Sequence, residues 1–250
     1  MTDDDVVKPS AVRAILDRLT DNRDLVVVNG EWWNADLTEL LVGSKIDIRQ
    51  DKVFLSHEQS NLLSVCGTVL SFIGSVVIRR SVWLDRDREK YYGTEFIHVG
   101  VIFQSPLRGD AVAIAEPLIK VRYGNSLWVS RGFQIWMIKW PGLIWSFGHI
   151  CPKAKSAITA REPWKGLVAL LAMKARGWYT AQEYRTLVGM KTMSWPTRTW
   201  LSAVAYFPDV LFNFAASILA ALVFRRPRGI HIELRQSPFD FRTRWFGRSG

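Results

Sequence analysis

The positions of the β-branched runs are the feature that most constrains how this chain folds. Four short runs rich in Val and Ile are each predicted to form a strand; helical patterns separate the first three, and only Glu116 and Pro117 separate the last two. They are residues 24–29, 72–78, 111–115 and 118–121. From Leu127 onward only helical patterns occur. We therefore predict an α/β half, residues 1–125, followed by a helical region, residues 126–250, rich in Trp and Arg.

Helical spacing of apolar residues predicts the helices of the first half. One helix is expected just after Pro9, whose fixed φ suits a helix entry. Further helices are expected over residues 34–41, 57–70 and 91–103. The charged run 85–90 is expected to be a solvated loop.

The composition indicates an anionic partner. The formal charge is +10, and the chain contains 12 Trp residues. Trp together with Arg and Lys is typical of a membrane–water interface. Because the aromatic residues lie in apolar stretches, we expect no nucleic-acid partner. The separated residues Cys66 and Cys151 form no zinc or disulfide pattern, which favours a reducing cytoplasm.

Three consecutive carboxylates, Asp3, Asp4 and Asp5, precede the first predicted helix. Oxygen ligands suit a divalent cation such as Mg²⁺, which often takes one or two carboxylates and completes its shell with substrate phosphates. An acidic terminus that only complements the dipole of the next helix is the alternative.

The region from 127 to 147 is rich in aromatic residues. Phe133, Trp136 and Trp140 share one helical face before Pro141. These rings could stack on an acceptor sugar or lie at a bilayer surface. The alternative is that they form the core of a helical subdomain.

The stretch 200–224 is the last strong apolar signal. Its continuous part, 211–224, is shorter than the roughly 20 residues that span a bilayer. Arg225, Arg226 and Arg228 follow directly. This pattern predicts docking on an anionic cytoplasmic leaflet, and a buried terminal helix with a solvated tail is the alternative.

Four stretches, in this order, resemble glycosyltransferase family 2 enzymes of the GT-A fold. The last of them resembles the abequosyltransferase-like subset that acts on bacterial surface polysaccharides. The stretches are Asp3–Pro9, Leu25–Val28, Phe72–Trp83 and Tyr91–Val99. The resemblance spans residues 3 to about 150 and implies a Rossmann-like mixed sheet with a C-terminal helical appendage.

The resemblance implies an inverting enzyme that moves a sugar from a nucleotide-sugar donor to a surface-glycan or lipid-linked acceptor. It also implies Mg²⁺ or Mn²⁺ as cofactor and a peripheral location at the inner face of the cell membrane. Asp5 and Asp3 are the implied metal ligands, with Asp3 and Asp4 on the nucleotide side. Arg79 and Arg80 end a strand directed at the same cleft and are implied diphosphate contacts. Strand-end solvation is the alternative for one of the two.

An acceptor hydroxyl needs a general base, and inverting enzymes normally use a carboxylate. In much of the family a Glu-Asp pair opens a helix at this point, and here Glu95 is followed by Phe96. The resemblance therefore implies Glu95 as the base, with His98 as second choice. A Glu that only complements the helix dipole is the alternative.

The family carries an N-terminal nucleotide-binding half before its acidic motif, whereas two residues precede Asp3 here. This difference predicts a truncated GT-A domain with an exposed sheet edge, and poor folding or no transfer by these residues alone. A non-catalytic membrane-associated scaffold derived from such an enzyme is the alternative function. A nucleic-acid binder rests on charge alone.

Overall fold

The computed structural model describes residues 5–124, 129–223 and 229–246. The protein is a mixed α/β protein with a six-stranded mixed sheet that contains one parallel pair, and its C-terminal region is helical. The predicted α/β class is thus confirmed. The chain forms two compact units, residues 1–123 with 142–161, and residues 124–141 with 162–250.

Two long parallel strands, β2 and β6, form the centre of the sheet. Val27 pairs with Ala113, and Trp33 pairs with Arg122. The run Leu25–Val28 is completely buried, as is typical of strands covered on both faces. The six strands are β1 (Val6–Val7), β2 (Arg23–Trp33), β3 (Leu40–Val42), β4 (Lys52–Phe54), β5 (Val76–Ile78) and β6 (Asp110–Arg122).

The short strands mark the two ends of this parallel pair. At the amino end, β5 pairs with β2 and β4 pairs with β6. At the carboxyl end, β3 pairs with β2 and β1 pairs with β6. The two ends lie about 26 Å apart, because eight residue steps of about 3.3 Å separate Leu25 from Trp33.

A buried Asn29 holds the parallel pair together where its register shifts. The pairing of Val28 with Ile114 is followed by that of Gly30 with Ile119, so β6 bulges over four residues that include Pro117. The Asn29 amide donates to the Ala115 carbonyl at 2.7 Å and to a serine hydroxyl, and its oxygen accepts three backbone N–H groups. The strands predicted at 111–115 and 118–121 are therefore one strand, bridged by a side chain.

Five helices belong entirely to the first unit, and the prediction of a helix over 57–70 is confirmed by α2. They are α1 (Ala11–Leu16), α2 (Gln59–Leu70), α3 (Arg80–Leu84), α4 (Ile97–Phe103) and α6 (Pro152–Ile158). Helix α5 (Trp140–Ser146) lies between α4 and α6 in the sequence. Within it, between residues 141 and 142, the chain passes from the second unit to the first.

Two helix predictions are wrong, and local backbone chemistry explains both. At 34–41 the Asn34 side-chain oxygen accepts the N–H groups of Thr38 and Glu39 at 2.9 and 3.1 Å, and Leu37 adopts φ 58°. This side-chain turn competes with helix formation. The helix predicted over 91–103 begins only at Ile97, after Gly93 at φ 72°.

In the part of the second unit that the structure describes, the regular elements are α-helices, π-helices and 3-10 turns, and no strand occurs. The α-helices are α7 (Leu167–Ala175), α8 (Ala181–Glu183), α9 (Trp195–Tyr206), α10 (Asp209–Val223), α11 (Gly229–Arg235) and α12 (Phe241–Phe246). Phe133 stacks on Tyr179 with ring centroids 4.8 Å apart, and the Tyr179 hydroxyl donates to the Leu201 carbonyl. Phe133 and Trp140 are buried, which confirms the core interpretation for these two rings.

A buried ion pair fixes the junction between α9 and α10, where the chain bends by 88°. Lys174 of α7 is fully buried. Its Nζ lies 2.7 Å from an Asp209 carboxylate oxygen and donates to the Ala205 carbonyl at 2.9 Å. One cation thus joins the last turn of α9 to the first turn of α10.

Replacing Lys174 with Met should lower the free energy of unfolding by about 3 kcal/mol, because Asp209 loses its partner in a poorly solvated place. The double variant Lys174→Met, Asp209→Asn should recover part of this loss. Lys165→Met is the matched control, since the Lys165–Glu162 pair is solvent-exposed and should contribute less than about 1 kcal/mol. Urea unfolding measures all three. Equal losses for Lys174→Met and Lys165→Met would contradict this account.

Candidate functional site

The carboxyl end of the β2–β6 pair is the natural place for a ligand. In open α/β sheets, ligands bind outside the carboxyl ends of parallel strands, where the connections diverge. Trp33 and Arg122 are the last paired residues of β2 and β6 at this end. The site residues predicted from the sequence can therefore be placed relative to it.

Asp5 lies at the carboxyl end. Its Oδ1 accepts a hydrogen bond from the Arg122 N–H at 3.1 Å, and the next residue, Val6, pairs with Lys120. An ion pair of 3.1 Å between Lys8 and Glu31 anchors the same segment. The placement agrees with the predicted role of Asp5 as a metal ligand but does not test it.

The donor chemistry of Asp5 suits one ligand of Mg²⁺ or Mn²⁺, since a carboxylate can accept an N–H and also coordinate a hard cation. Asp3 and Asp4 lie outside the described residues. Within 5–124, 129–223 and 229–246, no three His, Cys, Asp or Glu side chains gather as a metal-binding group. A cation at Asp5 would therefore need further oxygen ligands, such as substrate phosphates.

Aromatic and basic side chains surround this end of the sheet. The Trp32 ring packs edge-to-face against Phe72, with centroids 6.1 Å apart. The Lys45 ammonium lies 4.7 Å from the Trp32 ring centroid, and the Lys120 ammonium lies 4.5 Å from that of Trp33. Two lysines thus lie against the two tryptophan rings at this end of the sheet.

Sequence reasoning did not identify these three contacts as part of a site. Trp32 and Lys45 are separated along the chain, and Phe72 was assigned only to a strand. The adjacent pair Trp32–Trp33, next to a buried β-branched run, is the one signal that was available. The cation–π contacts became apparent only with the fold.

His98 is a buried residue that joins two helices. Its Nε2 lies 2.7 Å from the Leu70 carbonyl oxygen, the last residue of α2. A carbonyl only accepts, so Nε2 carries the proton and Nδ1 carries the lone pair. Nδ1 is buried without a hydrogen-bond partner. Because a general base must reach its substrate, this burial favours a positioning role for His98.

Glu95 lies just before α4. It is half-buried and precedes Ile97 by two residues. The first turn of α4 contacts the end of α2 through His98, whereas the chain beyond α4 reaches Gly109 beside Asp24 at the amino end. Glu95 therefore precedes the end of α4 that contacts α2, and the connection after α4 leads to the amino end of the sheet.

Arg79 lies at the opposite end. Its Nε is 3.2 Å from Asp24 Oδ1, and its Nη2 donates to the Asp21 and Arg23 carbonyls at 2.7 and 2.9 Å. Ile78, the residue before it, pairs with Leu25. The structure therefore does not bring Arg79 to the end of the sheet that holds Asp5, and the expectation of one shared cleft is not met.

The contacts of Arg79 are structural, because they hold strand ends together. Asp24 is buried and also accepts the Gly109 N–H at 2.6 Å, so Asp24 and Arg79 together tie the starts of β2 and β6 to the end of β5. Arg80 follows as the exposed first residue of α3. A shallow cavity of about 250 Å³ opens beside this cluster and is lined by Leu19, Thr20, Arg23, Asp24, Leu25, Val26, Val77, Ile78 and Arg79.

No protein-family model, curated protein or solved structure matches this chain. The chemistry of the site thus rests on its own geometry. That geometry places Asp5 and a set of aromatic and basic side chains at the carboxyl end of the parallel pair, a structural Arg–Asp cluster at the amino end, and Glu95 just before the helix that contacts α2.

The buried His98 should make stability depend on pH. Burial lowers the pKa of its imidazole below 6.5, more than the hydrogen bond to Leu70 raises it. Below pH 6.5 the unfolded chain then binds a proton that the folded chain does not, so stability is lost as the pH falls toward the folded-state pKa. Above pH 6.5 this contribution is complete.

The variant His98→Gln should reduce the loss of stability between pH 6.5 and about 5, since an amide can donate to Leu70 without titrating. His57→Gln is the control. His57 is exposed, so this variant should keep the dependence of stability on pH that the native chain shows. Unfolding free energies of the native chain and the two variants, measured over this pH range, test the prediction. An unchanged pH dependence in His98→Gln would refute the assignment.

Neighbouring arginines should differ sharply in their effect on stability. Arg79→Ala removes the cation beside buried Asp24 and should cost about 2 kcal/mol. Arg80→Ala should change stability by no more than about 0.5 kcal/mol, as is usual for an exposed residue. Thermal and urea unfolding of the two variants give the comparison, and similar values for both would contradict a framework role for Arg79.

Proposed function

We propose that this protein is a glycosyltransferase of the GT-A kind. It transfers a sugar from a nucleotide-sugar donor to a surface-glycan or lipid-linked acceptor, with inversion and with the help of Mg²⁺ or Mn²⁺, at the cytoplasmic face of the cell membrane. The main support is the position of Asp5, which lies at the carboxyl end of the parallel strands, where ligands bind in open α/β sheets. The order of the resembling stretches along the chain adds to it.

The donor side of the reaction needs positive charge, because the leaving diphosphate gains negative charge as the glycosidic bond breaks. A divalent cation held by Asp5 and Asp3 would stabilise that charge as a Lewis acid. Asp3 and Asp4 would face the nucleotide. Lys45 and Lys120 supply further positive charge at this end of the sheet.

The acceptor side needs a base on the opposite face of the sugar. Glu95 takes the proton of the acceptor hydroxyl, and the oxygen then bonds to the anomeric carbon as the bond to the diphosphate oxygen breaks. His98 holds the start of α4 against the end of α2 and so positions Glu95. We assign Arg79 to the framework rather than to the diphosphate, because its guanidinium already bonds to Asp24 and to backbone carbonyls.

Two charge-neutral variants test this proposal. Glu95→Gln should lower transfer by about 10²- to 10⁴-fold, as loss of a general base does. Asp5→Asn should abolish the stimulation of transfer by Mn²⁺. Glu89→Gln is the matched control, since Glu89 is exposed in the 3-10 turn Glu89–Tyr91 that precedes α4. Sugar transfer and donor hydrolysis are measured over a panel of nucleotide sugars, with Mn²⁺ and with EDTA. Native rates in Glu95→Gln and Asp5→Asn would overturn the assignment.

A non-catalytic membrane-associated scaffold is the second candidate. The observation that favours it is the apolar exposed surface of the second unit, where Leu219, Leu222 and Val223 of α10 face solvent. A scaffold would show neither hydrolysis of any donor nor donor binding that depends on Mn²⁺. Both properties are measured with the native chain in the same assay.

A further inference from the structure

The polarity of helix α10 is inverted relative to that of an ordinary surface helix. Its three buried residues are Asn213, Ser217 and Ala220, which form one stripe. The exposed stripe on the other side is entirely apolar and consists of Leu211, Ala215, Ile218, Leu219 and Leu222. A helix that turns its polar residues inward and its leucines outward is not adapted to water.

Polar contacts hold α10 in this orientation. The Asn213 amide donates to the Ala175 carbonyl at 3.1 Å and to the Leu234 carbonyl at 2.9 Å. Its oxygen accepts the Phe241 N–H at 3.4 Å. Since Asn213 is completely buried and bonded to three neighbouring segments, a rotation that buries the leucines would leave these groups unpaired.

The preceding helix, α9, has a mixed exposed surface within the same unit. It buries Leu201 and Ala205 and exposes Arg198 and Thr199 together with the aromatic Trp195 and Tyr206. The exposed stripe of α10, in contrast, consists only of aliphatic residues. The 88° bend at Pro208, fixed by Lys174, separates the two kinds of surface.

The residues that flank the exposed stripe indicate what covers it. Arg225, Arg226 and Arg228 follow α10 in the sequence and lie outside the described residues. At the other end, Tyr206 and Phe207 are exposed next to the bend. Leucines between aromatic residues on one side and arginines on the other form the residue pattern of a helix in the interface of an anionic bilayer.

The dimensions favour insertion into the interface rather than a span. Helix α10 has 15 residues and is about 22 Å long, which is shorter than the roughly 30 Å of a hydrocarbon core. Among the described residues, no single helix is long and apolar enough to cross a membrane, and α9 with α10 meets that test only as a bent pair.

We propose that the exposed face of α10, residues Leu211, Ala215, Ile218, Leu219 and Leu222, inserts into the headgroup region of an anionic phospholipid bilayer. The arginines that follow Val223 in the sequence add electrostatic attraction to the lipid phosphates, and buried Asn213 keeps the apolar stripe pointing outward. This inference does not depend on sugar transfer.

Vesicle flotation of the full chain tests the proposal. The native chain should float with vesicles of three parts phosphatidylcholine to one part phosphatidylglycerol, and binding should weaken at high salt. The double variant Leu219→Asp, Leu222→Asp should bind about tenfold more weakly or worse.

The matched control is Val12→Asp, Leu16→Asp on α1. Val12 and Leu16 are 62% and 56% exposed, close to the 62% and 77% of Leu219 and Leu222, and the change in charge is the same. This control should bind vesicles like the native chain. Equal weakening of both double variants would reduce the effect to net charge and overturn the proposal.

A fluorescent probe locates the inserted face directly. Cys66 is buried, and burial raises the pKa of its thiol to about 12, so it resists labelling, whereas the exposed Cys151 is replaced by Ser. An environment-sensitive dye on Leu222→Cys should shift to the blue when anionic vesicles are added. The same dye on Ser156→Cys, an exposed polar position of α6, should not.

Two outcomes would overturn the proposal. One is a blue shift at both positions, or at neither, in a chain whose circular dichroism is native. The other is a concentration-dependent dimer, found by light scattering, that Leu219→Asp, Leu222→Asp dissociates while the native chain fails to float. That result would assign the face to a second copy of the chain.

Discussion

The parallel pairing of β2 with β6 is the constraint on which the rest of the first unit depends. It gives the sheet a direction, with all four short strands attached in pairs at its two ends. Parallel strands must be covered on both faces, and the buried run from Leu25 to Val28 meets that requirement. Asn29 bridges the two strands at the bulge, because its amide donates to the Ala115 carbonyl of β6.

The two ends of the parallel pair carry different kinds of side-chain cluster. At the amino end, Asp24 and Arg79 satisfy each other and nearby backbone groups, which is the behaviour of a structural cluster. At the carboxyl end, Asp5 is placed by a backbone contact, and Lys45 and Lys120 lie against tryptophan rings. Cations held in this way remain close to a surface where an anionic ligand can approach, and this contrast supports a site at the carboxyl end.

The sequence predicted elements well where apolar periodicity decided the structure. Helix α2 and the core of β2 follow from runs of buried apolar residues. Prediction failed where a single side chain or a left-handed backbone decided the outcome. The Asn34 side chain forms a turn in place of a helix, and Gly93 delays the start of α4.

The site was predictable only in part, for a related reason. Spacing along the chain indicated Asp5 and Glu95 as carboxylates of interest, and the strand register places Asp5 at the carboxyl end. Arg79 looked equivalent because it also ends a strand, but β5 runs antiparallel to β2, so its last residue lies at the amino end. Strand direction is a tertiary property that no local pattern carries. The inverted polarity of α10 was hidden likewise, since its sequence is apolar almost throughout.

The central claim is that an anionic nucleotide ligand binds at the carboxyl end of the β2–β6 pair. Hydrogen–deuterium exchange of the full chain, with and without a nucleoside diphosphate and Mn²⁺, tests it most directly. The account predicts slower exchange in the segments 5–8, 31–34, 71–75 and 94–98, and unchanged exchange in 20–24 and 77–81. Protection confined to the Arg79 segments, or no protection by any nucleoside diphosphate, would contradict it.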